Sequence, residues 1–120
     1  MAPQKLSTFQ RIRQGLQERF EANLLERVQG SLPSVAAGEC EVWLFGSRAR
    51  GDWDGWSDTD LLVVADAQEQ ADQLADALLD SGLGADVIAL SRARWDGLAS
   101  CDSPHWQAIR RQARQLLSSP

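Results

Sequence analysis

Apolar residues recur three or four apart along the first part of the chain, at Phe9, Ile12, Leu16, Phe20, Leu24 and Val28. That spacing lines one face of a helix. Ser7, with Gln10 three residues on, forms a capping box at its start, and Gly30 marks its end. Pro33 and Gly38 make 31–39 a loop. A short hydrophobic run at 41–45 reads as a strand that ends in a turn at Gly46, with one helical turn through Arg48, Ala49 and Arg50 before a loop holding Gly51 and Gly55. A second strand is predicted over 59–65. Asp66 and Glu69 then form a capping box for a helix with the stripe Ala71, Leu74, Ala75, Leu78 and Leu79, stopping near Ser81 and Gly82. A third strand follows at 85–90. Ser103 and Pro104 cap a last helix whose apolar face is Trp106, Ile109, Ala113, Leu116 and Leu117. The order α-β-α-β-α-β-α implies an α/β (α+β-like) fold, a small mixed β-sheet flanked by helices, and 1–120 reads as one domain.

Composition narrows the functions this fold can serve. A net charge of −5 leaves no basic stripe for sequence-independent, stable nucleic-acid binding. It leaves room for a nucleotide held through metal, because the ion supplies the missing positive charge. No apolar run is long enough for a membrane span, and Met1 to Lys5 lead into no signal-peptide core, so a cytoplasmic protein is expected. Cys40, Cys101 and the single His105 have no zinc-site spacing and are expected to be idle thiols and an isolated imidazole in a reducing compartment.

The chemistry concentrates at 45–64. The first strand ends in Gly46-Ser47; ten residues later comes Asp58-Thr59-Asp60, at the mouth of the second strand. Glycine allows close backbone approach to a phosphate, the Ser47 hydroxyl adds a donor, and Arg48 and Arg50 lie near enough in sequence to reach the same oxygens. Alternate residues of a strand share a face, so Asp58 and Asp60 point the same way. Carboxylates held close together repel each other until a divalent cation relieves them. Asp86 opens a strand that is otherwise apolar, which makes it the candidate third carboxylate and acceptor of a proton. Asp52 and Asp54 read as turn residues. Trp53 and Trp56 either stack on a base, meet a partner protein or pack down on the domain. Arg110, Arg111 and Arg114 read as the solvated face of the last helix.

Gly46, Ser47, Asp58, Asp60 and Asp86 together resemble the DNA polymerase β-type nucleotidyltransferase superfamily, most closely its minimal nucleotidyltransferase (MNT) branch. The run Gly-Ser-Arg-Ala-Arg-Gly at 46–51 is similar to that of small bacterial members. The resemblance implies transfer of a nucleoside monophosphate, AMP from ATP, onto a hydroxyl, with two Mg²⁺ ions. Gly46 and Ser47 would bind the triphosphate, Asp58 and Asp60 both ions, and Asp86 one ion and the acceptor. It also implies an antitoxin that AMPylates an all-helical HEPN-type toxin. The C-terminal arginines depart from the turn common at the end of small members.

Two further functions remain open at this level. One is a non-catalytic antitoxin that neutralises its partner by binding alone, and the other a transferase acting on a small molecule. The acceptor, the choice of triphosphate and any homo-oligomer are not encoded in these motifs.

Overall fold

A computed structural model of the chain describes residues 7–32, 40–51, 53 and 58–119. Pro33 and Gly38, and Asp52, Asp54, Gly55 and Trp56, lie outside the described residues. Helix α1 (Thr8–Ser31) starts with the reciprocal bonds expected of its cap: Gln10 N–H donates to Ser7 Oγ at 3.1 Å, and Ser7 N–H to Gln10 Oε1 at 2.8 Å. Strand β1 (Cys40–Phe45) leads through a single helical turn, α2 (Ser47–Arg50), towards β2 (Asp60–Ala65). Helix α3 (Gln68–Asp80), strand β3 (Asp86–Ser91), helix α4 (Arg92–Gly97), a 3₁₀ turn (Leu98–Ser100), helix α5 (Pro104–Gln112) and strand β4 (Arg114–Ser119) complete the order. Among the described residues no helix is long and apolar enough to cross a membrane.

The strands form one mixed sheet in the order β3-β2-β1-β4. β1 runs antiparallel to both β2 and β4, whereas β2 and β3 are parallel. Both faces are covered. Val42, Leu44, Leu61 and Val63 pack with Leu24 and Val28 of α1 and with Leu74 and Leu78 of α3. On the other face Phe45, Leu62, Val64 and Leu90 meet Trp95 of α4 and Ile109 of α5. Residues 61–65 of β2 are therefore inaccessible on both sides, as the continuous apolar run of a covered strand requires.

Four local expectations are corrected. The last helix stops at Gln112, because Ala113 adopts extended angles (φ −61°, ψ 141°) and the chain turns into β4. Leu116 and Leu117 fit a helical stripe in sequence, but β1 would otherwise leave one edge unpaired, and the segment pairs with it. The pairing runs from Val42↔Leu117 to Trp43↔Gln115, which leaves Leu116 as an extra residue. That bulge lets two consecutive leucines, both half-buried, reach the same core cluster. Helix α3 begins after Ala67 with no side-chain cap, so Asp66 and Glu69 form no capping box. Gln68 instead ties the helix to β3: its amide donates to Ala89 O at 2.9 Å and accepts from Ser91 N–H at 3.1 Å. Helix α4, not anticipated, is capped by Ser91 and buries Trp95.

The fourth correction concerns α1. Leu24 and Val28 are buried, yet Phe9 and Ile12 are 71% and 57% exposed. Only the second half of the helix lies on the sheet core. The first half runs beside the loop that follows α2 and meets it through polar side chains. Leu24→Ala is expected to cost about 2–5 kcal/mol of unfolding free energy, and Ile12→Ala to stay within about 0.5 kcal/mol of the parent. Urea denaturation of both variants checks this division of the helix.

Candidate functional site

Parallel pairing aligns Asp60 with Asp86 across β2 and β3. Residues in register on neighbouring strands project to the same face, so the two carboxylates stand side by side at the strand mouths. Asp60 is half-buried; Asp86 and Asp58 are exposed. The Asp60 carboxyl is raised above its ordinary value of 3.8, first by burial, then by the negative charges of Asp86 and Asp58, with Arg50 acting in the opposite direction. All three acids anticipated from sequence thus act on one point.

Gly46 joins this group from β1. Its backbone (φ 75°, ψ −154°) lies in a region that side chains avoid, and a Cβ there would sit 2.6 Å from Asp60 Oδ2. Its carbonyl accepts from the N–H groups of Ala49 and Arg50, both at 3.1 Å, closing α2. A cavity of about 550 Å³ opens here. Gly46, Ser47, Arg50, Asp60 and Phe45 form one wall, and His105, Ala108, Ile109 and Gln112 of α5 the other.

Arg48 departs from the phosphate-binding expectation. Its guanidinium lies over the rings of Phe20 (4.6 Å) and Trp53 (4.4 Å) and does not line this cavity. Trp53 packs down: its ring is 5.4 Å from Phe20, and its indole N–H donates to Gln17 Oε1. Arg13 donates to the carbonyls of Gly51 (2.5 Å) and Trp53 (2.8 Å), and Gln17 to that of Arg48 (2.7 Å). Helix α1 thereby fixes the segment carrying Arg50. The C-terminal arginines are not one solvated face. Arg114 pairs with Glu21 at 2.7 Å, and Arg110 sits 4.3 Å above the Trp95 ring.

His105, expected to be isolated, lines the cavity together with Ala108 and Gln112, for which the sequence predicts no role. The signal available was their spacing with Ile109, which places all four on one face of α5. Cys40 is buried, and burial followed by the Glu41 charge raises its thiol, consistent with an inert residue.

The acid pair suits a hard divalent cation. Mg²⁺ takes oxygen ligands, commonly one or two carboxylates, and completes its shell with water and phosphate. Among the described residues no three His, Cys, Asp or Glu side chains are gathered closely enough to hold an ion by themselves. Asp60 and Asp86 offer carboxylate oxygens of the kind such an ion takes, and the rest of its shell would come from water and phosphate.

The sequence matches the family model described as nucleotidyltransferase domain over residues 11–91. A solved structure described as the crystal structure of the toxin-antitoxin with AMP-PNP is similar at 22% identity and a TM-score of 0.47, over 82% of this chain and 73% of that one. No curated protein matches the sequence significantly.

Two outcomes follow from the geometry. Gly46→Ala must relieve both a strained backbone and a collision with Asp60, and is expected to lose about 1–3 kcal/mol of stability in a thermal melt. The raised Asp60 carboxyl holds its proton more tightly folded than unfolded, so in metal-free buffer stability falls as pH rises from 3.8 through the raised value. Asp60→Asn is expected to flatten that decline and to melt above the parent at pH 7 but not at pH 3. Melts with a chelator present measure both.

Proposed function

The chain belongs to the nucleotidyltransferase-domain family, and from that premise we propose that it is a Mg²⁺-dependent enzyme that moves AMP from ATP to a hydroxyl of a partner protein. We assign it the part of the antitoxin in a toxin–antitoxin pair of HEPN/MNT type, acting in the cytoplasm. The observation that carries the catalytic reading is the in-register pair Asp60 and Asp86, of which Asp60 lines one cavity together with the Gly46–Ser47 turn.

Gly46 brings backbone to within reach of the triphosphate, and Ser47 and Arg50 donate to its oxygens. Asp60 and Asp86, with Asp58 beside them, would hold the metal together with phosphate oxygens; when bound, it neutralises the triphosphate and stabilises the attacking and leaving oxygens. Asp86, the exposed member of the aligned pair, accepts the proton of the acceptor hydroxyl. The hydroxyl oxygen then bonds to the α-phosphorus as the bond to pyrophosphate breaks. Positioning and electrostatics do most of this work, since the protein forms no covalent bond to the nucleotide.

A protein acceptor is favoured by the net charge of −5, which disfavours nucleic acid, and by the exposed row Phe9, Ile12 and Leu16 on α1, an apolar surface suited to protein contact.

The test is to incubate the protein with Mg²⁺, ATP labelled at the α-phosphate, and the product of the neighbouring open reading frame. Label should become covalent on that product, and γ-labelled ATP should leave none. Asp86→Asn is expected to slow transfer about 10²–10⁴-fold. If neutralisation persists unchanged with Asp60→Asn and Asp86→Asn while no label transfers, the protein acts by binding alone.

A further inference from the structure

The wall of the cavity formed by α5 lies opposite the phosphate turn and is not used by the chemistry above. The lining includes Asp60 but, among the described residues, neither Asp58 nor Asp86. Asp86 lies on β3, at the edge of the sheet, whereas the cavity spans β2, the end of β1 and α5. The acceptor, which must reach Asp86, therefore approaches from the β3 side. The cavity is left to the donor nucleotide. With the phosphates at Gly46, Ser47 and Arg50, the nucleoside end of the donor faces α5.

The composition of that wall fits a base. Ile109 and Phe45 are buried and, with Ala108, line an apolar part of the cavity. His105 and Gln112 are exposed and are the polar side chains of the helix wall. They stand seven positions apart on one face, about 10 Å along the helix. A side-chain amide presents a donor and an acceptor side by side, the pairing that matches the adjacent amino group and ring nitrogen of adenine. Gln112 closes α5 where the chain turns extended at Ala113, so its backbone is held where β4 begins.

We propose that α5 is the nucleoside-recognition wall of this site, with Gln112 reading the edge of an adenine base over the floor made by Phe45, Ala108 and Ile109. The inference rests on the nucleotidyltransferase reading and adds the element that selects the triphosphate. Gln112 is a specificity-determining residue and takes no part in the transfer step.

Calorimetric titration with ATP, GTP, UTP and inorganic tripolyphosphate, each with Mg²⁺, tests it on the parent protein and on Gln112→Ala, Gln112→Leu and His105→Ala. The parent should prefer ATP to UTP and GTP. Both Gln112 variants should weaken ATP about five- to a hundredfold, the range of one bidentate amide–adenine contact, and leave tripolyphosphate unchanged. Loss of tripolyphosphate and ATP affinity in equal measure, or an unchanged base preference in the Gln112 variants, overturns the assignment while leaving the phosphate site standing. A selectivity change in His105→Ala alone moves the reading residue to the other end of the helix and also overturns it. A parent protein that binds neither tripolyphosphate nor any nucleotide overturns the reading beneath it as well.

Discussion

The parallel register of β2 with β3 is the constraint on which the site depends. It sets Asp60 against Asp86, and a slip of one residue would turn one carboxylate to the opposite face of the sheet. What prevents the slip is the apolar run behind the acids. Residues 61–65 of β2 are fully enclosed, with Leu61 and Val63 held by the α1–α3 layer and Leu62 and Val64 by the α4–α5 layer. β3 is an edge strand, and the Gln68 side chain fastens its far end through Ala89 and Ser91. Two like charges are kept adjacent by packing several residues away from them.

A second constraint acts on the segment that brings Arg50 to the same wall as Asp60. Arg50 is the last residue of α2, and the loop that follows is held at Gly51 and at Trp53, whose ring packs against Phe20. Helix α1 supplies the anchorage through Arg13 and Gln17, whose side chains bind carbonyls of Arg48, Gly51 and Trp53. Backbone carbonyls left without partners in such a loop would be costly, and long side chains from a rigid helix satisfy them. Helix α1 is thus apolar towards the sheet at Leu24 and Val28 and meets the loop through Phe20 as well as through Arg13 and Gln17. Arg48 stacks on Phe20 and Trp53, while Arg50, two residues on, faces the cavity.

Much of this was legible in the sequence, for identifiable reasons. The acids announce themselves because Asp60 and Asp86 interrupt apolar strands whose period is plain, and Gly46 because it ends such a strand. The capping box at Ser7 and the cap at Ser103 are local hydrogen bonds and need no tertiary information. What failed was decided at long range. Leu116 and Leu117 obey a helical period, yet the open edge of β1 recruits them as a strand, and the bulge at Leu116 reconciles both with one core. Asp66 and Glu69 have capping-box spacing, but the helix starts one residue later, where Gln68 can reach β3. His105 and Gln112 carry no motif at all. Their place opposite Asp60 arises only when α5 packs Ile109 onto the second face of the sheet.

The energetic logic of the site follows from these two supports. Burial and the neighbouring charges of Asp86 and Asp58 raise the Asp60 carboxyl, so ionising it beside those charges is unfavourable without a cation. A cation that binds between the acids relieves that repulsion, and the relief is largest when phosphate oxygens complete its shell. Gly46 stands so close to Asp60 that a side chain there would collide with Oδ2, which makes the turn after β1 and this carboxylate direct neighbours. Metal and triphosphate are then expected to bind together more tightly than either alone, because each removes part of the cost the other meets. On the nucleotidyltransferase reading proposed above, that coupling would let an acidic domain hold a highly charged substrate without a basic surface.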